Sequence, residues 1–110
     1  MAKIDINGIL KNIESQTKVP AEQQFKQYTQ QAVGDVKSSL QDAKADLERW
    51  VEELARGDID KDEFESLVQG ELDVEKMRAL KQAGLAEAQI ESFVNGVTDI
   101  VVNAAFSANP

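Results

Sequence analysis

The chain contains no cysteine and no histidine. A disulfide framework, a thiolate or imidazole metal site, a cysteine nucleophile and a His-based triad are thereby excluded. Aromatic residues are scarce, at 5% against 42% hydrophobic residues in all, so a core must rely on aliphatic side chains and alanine. Prolines number two and the six glycines are scattered, leaving no glycine-rich loop to cradle a phosphate. Basic residues are in deficit as well: 12 Lys and Arg stand against 20 Asp and Glu, a formal charge of −8. Nucleic acid is not an expected partner, because its phosphates are bound chiefly by Lys and Arg. No run reaches the roughly 18 apolar residues that span a bilayer. The most hydrophobic stretch, residues 90–106, is interrupted by Glu91, Ser92, Asn95, Asp99 and Asn103. Near the start, Asp5, Asn7, Lys11 and Asn12 break any signal-like segment. These absences lead to the expectation of a cytoplasmic protein with no metal, no cofactor and no stable membrane insertion.

What the chain does have is helical periodicity. Its 110 residues suffice for one domain. Ile4, Ile6, Ile9, Leu10 and Ile13 form an N-terminal apolar cluster, read as an arm or short helix within residues 1–19 with Asn7 as its cap. Pro20 suits the first turn of a helix, so a single helical domain is expected over 20–110. From there Phe25, Tyr28, Ala32, Val36, Leu40, Ala43, Leu47, Trp50 and Leu54 follow at steps of three and four, one continuous stripe ending at Gly57. The spacing predicts a long helix over about 21–56. Those 36 residues would extend about 54 Å at 1.5 Å per residue. A compact domain of this size has a radius of gyration of only about 13 Å. Either the helix breaks at Gly34-Asp35, with Asp35 capping a second helix, or another copy covers the surplus stripe. An unbroken helix is the preferred expectation.

The remainder repeats weakly every 13 residues. Phe64, Met77 and Ile90 keep that interval, as do Leu67, Leu80 and Phe93. Asp60 and Glu63 fit a capping box, with Ile59 and Phe64 as its hydrophobic staple. Leu72, Asp73 and Met77 repeat the cap and staple, and Gly84-Leu85 reads as a helix end. A last helix starts near Ala86. The expected fold is all-α: the long helix, two short ones and a C-terminal helix, a bundle completed by self-association.

Asp58, Asp60 and Asp62 alternate as in a calcium loop, but its sixth position, a glycine in such loops, is Glu63, and its twelfth, a bidentate glutamate, is Gln69. The acids of 58–65 fit the start of a helix better. None of the carboxylates in the chain is predicted to lie on an apolar stripe, where desolvation would tune it for acid–base work. Ser15, Ser38 and Ser39 have no imidazole to activate them. Residues 1–56 hold eight basic and nine acidic side chains, a net of −1, whereas residues 57–110 hold four and 11, a net of −7. That surplus fits a solvated face, or one that steers toward a basic partner.

The segment Leu47-x-x-Trp50-Val-x-x-Leu54-x-x-Gly57-x-Ile59-x-x-x-Glu63-Phe64 resembles the short helical oligomerisation modules appended to many bacterial proteins. The lysine expected in their next helix is absent, since Ser66 to Gln69 carries none, and no family is assigned.

The expected function is non-enzymatic: a helical interaction or assembly protein that self-associates, most simply as a dimer, and that also has room for a protein partner. The interface candidates are Phe25, Tyr28, Ala32, Val36, Leu40, Leu47 and Trp50. An alternative is a small carrier sheltering an apolar ligand or lipid between the long helix and the Val94–Phe106 surface. Reversible membrane contact through Ile4–Ile13 ranks third, because Lys3 and Lys11 give little attraction to anionic lipid.

Overall fold

Helices α1 (Ile6–Phe25) and α2 (Thr29–Asp42) form an antiparallel hairpin joined by a 3-10 turn, Lys26–Tyr28, in a computed structural model that describes residues 5–108. The Lys37–Glu14 ion pair at 3.9 Å marks the two helices running side by side. Helix α3 (Lys44–Arg56) continues α2 beyond a bend at Ala43, and α4 (Lys61–Glu71) follows. A 3-10 turn at Val74–Lys76 leads to the five-residue α5 (Arg78–Gln82), then to α6 (Glu87–Ala108). The all-α class holds, and no strand occurs among the described residues. The radius of gyration is 13.7 Å and the extents are 45 × 21 × 21 Å.

The expected continuous helix over 21–56 is divided, and not at Gly34, which stays helical inside α2. At Ala43 the division is slight. Its N–H donates to the Ser39 carbonyl at 3.1 Å and its own carbonyl accepts from Leu47 at 2.8 Å, so the ladder enters and leaves the bend. At Lys26–Tyr28 the division is complete, because the chain reverses there. Burial explains the reversal. Ile6, Ile9, Leu10, Ile13, Thr17, Ala21 and Phe25 form a buried stripe on α1, and folding back sets it against α2 and α6. Ile4, the remaining member of that N-terminal cluster, lies outside the described residues.

Two further expectations are corrected here. The cap of α1 is Asp5, whose carboxylate accepts from the Gly8 N–H at 3.0 Å, and not Asn7. Pro20 lies inside α1 and opens no helix. An interior proline costs about 3 kcal/mol through a lost hydrogen bond and a ring clash. Its neighbours on the stripe, Thr17 and Ala21, are both fully buried, which offsets that cost. Thr17 also turns its hydroxyl back onto the Ile13 carbonyl at 2.7 Å, satisfying it without solvent.

Helix α6 runs antiparallel to α1. Gln89 donates its side-chain N–H to the Gln24 carbonyl at 2.8 Å, and Phe93 meets Phe25 edge-to-face with centroids 5.0 Å apart. Its other neighbours are α4 and the Val74–Lys76 turn. The 13-residue repeat is a repeat of core positions: Phe64, Met77 and Ile90 are fully buried, as are Leu80 and Phe93. The capping box forms as expected, with Asp60 accepting from the Glu63 N–H at 2.8 Å and Glu63 accepting from the Asp60 N–H at 3.2 Å. The second start differs, since after Asp73 only a 3-10 turn forms before α5.

Candidate functional site

The seven interface candidates do share one face of the chain, and that face points inward. Phe25, Ala32, Val36, Leu40, Leu47 and Trp50 are buried in the common core, and Tyr28 is half-buried at the hairpin turn. Once the chain reverses at Lys26–Tyr28, α1, α4 and α5 pack against α2 and α3 and supply the cover that a partner was expected to lend. Trp50 is a core side chain, as its neighbours Leu47 and Val51 are. Among the described residues, the large apolar side chains left exposed are Val19 and Phe106, at 56% and 44%.

Asp35 is the buried carboxylate that sequence reasoning placed only loosely. The sequence offers it as a cap only if the long helix breaks at Gly34-Asp35, and the expectation that no carboxylate lies on an apolar stripe is corrected by its burial. Instead it reaches from the middle of α2 to α5 and accepts from the backbone N–H groups of Ala79 at 3.0 Å and Leu80 at 2.9 Å. Those donors belong to the first turn of α5, which has no side-chain cap of its own. A carboxylate there satisfies two otherwise unpaired donors and complements the positive end of the helix. The signal in the sequence was an acid on the edge of the stripe, flanked by Ala32, Val36 and Ser39, all buried. Its partner 44 residues further on left no mark that spacing could reveal.

The acids of 58–65 act locally. Asp58 pairs with Arg56 at 3.0 Å, and Asp60 and Glu63 are engaged in the capping box. Among the described residues no three Asp or Glu side chains converge as a metal site requires. Lys76 pairs with Glu71 at 3.1 Å and Lys81 with Glu75 at 3.3 Å, so two of the four cations in the acidic half already have anionic partners. Between α1 and α2 a recess lined by Leu10, Glu14, Val36, Lys37, Leu40 and Gln41 encloses about 10 Å³. That is close to the space of a single water, whereas small-molecule sites run to roughly 300–1,000 Å³. Along Val94–Phe106, the side chains of Val97, Val101 and Ala105 are fully buried, and α6 rests chiefly on α1 and α4.

No helix among the described residues is long and apolar enough to cross a membrane. The chain matches no protein-family model, no curated protein and no solved structure.

Proposed function

We propose that this is a non-enzymatic helical assembly protein whose working contact is with a second copy of itself. One observation carries the reading. The stripe from Phe25 to Trp50 keeps a single helical phase through Lys26–Tyr28, where the chain nevertheless reverses. A sequence that served only the hairpin has no need of that continuity. The use of buried polar groups supports the non-enzymatic part. Asp35 is committed to two backbone donors, Thr17 to the Ile13 carbonyl and Thr98 to the Val94 carbonyl at 2.9 Å. Groups committed in this way to backbone partners of their own chain are not offered to a substrate. The carrier alternative gains no such support, since Val97, Val101 and Ala105 of its Val94–Phe106 surface are already fully buried against the chain itself.

Light scattering on the purified protein tests the proposal. The expected result is a mass that rises from 12.1 kDa toward twice that value with concentration. A constant monomer mass into the millimolar range would overturn it.

A further inference from the structure

We infer that Lys26–Tyr28 is a hinge, and that the second copy is bound by domain swapping. The hinge opens, α1 and α2 merge into one helix, and each α1 packs against α2 and α6 of the other protomer. This deepens the assembly reading above and rests on it.

Three observations point to exchange and away from side-by-side docking. The first is phase. Across the turn, Ala21 and Phe25 at the end of α1 are followed by Tyr28, Ala32, Val36 and Leu40 at steps of three and four. An opened helix keeps these six within an arc of about 120° on one side. The second is the composition of the turn. Lys26-Gln27-Tyr28-Thr29 contains no glycine, proline, asparagine or aspartate, the residues that commonly demand a turn. Lys and Gln rank among the good helix formers. The third is that, among the described residues, two side-chain hydrogen bonds secure the reversal. The Thr29 hydroxyl donates to the Lys26 carbonyl at 3.0 Å, and Gln89 donates to the Gln24 carbonyl. In a continuous helix the Tyr28 N–H would take the Gln24 carbonyl instead.

Opening a lone protomer would expose the whole α1 stripe, so the open form needs a partner. A second copy restores each lost contact with the same residues, and both chains gain an uninterrupted helix from Ile6 to Asp42. Those 37 residues would be about 55 Å long. Of the seven stripe residues proposed as an interface, Phe25, Ala32, Val36 and Leu40 lie on helices that meet in the exchanged contact, and all four are buried in the closed monomer.

The test uses the full chain, with Glu14→Cys and Lys37→Cys joined by a short bismaleimide. The natural sequence has no cysteine to interfere, and the exposed pair that is lost contributes little. Dimer and monomer fractions are separated by size and then crosslinked. Swapping predicts links between chains in the dimer and within one chain in the monomer. A second arm alters the hinge. Gln27→Gly should weaken dimerisation by about tenfold or more, because two helices per dimer each carry the glycine penalty. The combined Lys26→Ala, Gln27→Ala and Thr29→Ala variant should strengthen it. A dimer with links only within chains, or one indifferent to the hinge substitutions, overturns the exchange and leaves the assembly reading standing. A monomer in every variant at every concentration overturns both.

Discussion

Asp35 shows most clearly what single side chains contribute. Its two bonds to the start of α5 cross between elements and are shielded from water, so truncation leaves two N–H donors unpaired. Asp35→Ala should cost about 2–4 kcal/mol of stability, and Asp35→Asn about 1–2, since the amide keeps one acceptor but turns its NH2 toward a donor. Urea unfolding checks this, and a change under 0.5 kcal/mol in the alanine variant would show that α5 is not docked this way. The Phe25–Phe93 edge contact makes a separate claim. A double-mutant cycle with leucine at both positions should return a coupling of about 0.5–1.5 kcal/mol. Additive costs would mean that the rings do not meet. The presence of Asp35 was legible in the sequence and its target was not, because a side chain gives no sign of a partner 44 residues away. Phe25 was likewise singled out, but as a contact for another subunit.

At the scale of elements, periodicity and caps were the most legible features. The capping box at Asp60 and Glu63 and the helix end at Gly57 fall where the sequence put them. Gly57 has φ +79°, and the Asp58 N–H donates to the Glu53 carbonyl at 2.9 Å, closing α3. Gly34 differs in kind, lying in mid-helix with nothing near the position of an added Cβ. Gly57→Ala should therefore lower stability by about 1–2 kcal/mol, whereas Gly34→Ala should raise it by about 1 kcal/mol. Thermal melts of the two variants should move in opposite directions. A fall for Gly34→Ala would mean that α2 is broken there after all. Legibility declined where a local rule met a long-range gain. Pro20 was read as a helix start, yet burial of Thr17, Ala21 and Phe25 carries α1 through it. Asp73 resembled a helix cap but opens a 3-10 turn, the reciprocal acid being replaced by Lys76.

For the molecule as a whole, the class was legible and the path was not. Nothing in Lys26-Gln27-Tyr28 distinguishes a reversal from three more helical residues. The decision lies in the α1 stripe, which is buried only if the chain turns back, and periodicity does not record that choice. The stripe was identified correctly, and its destination was the core of its own chain. The same ambiguity supplies the exchange mechanism, since one sequence pattern serves both a closed hairpin and an open rod. The fold-back is thus the central claim. Its most direct measurement is the distance between spin labels at Lys11→Cys and Gln41→Cys in dilute protein. Both sites are exposed, and their neighbours Leu10 and Leu40 line one recess. A closed hairpin puts the labels about 10–20 Å apart, allowing for packed helices and the label arms. A distance near 45 Å, the rise of a continuous helix between those positions, would contradict it.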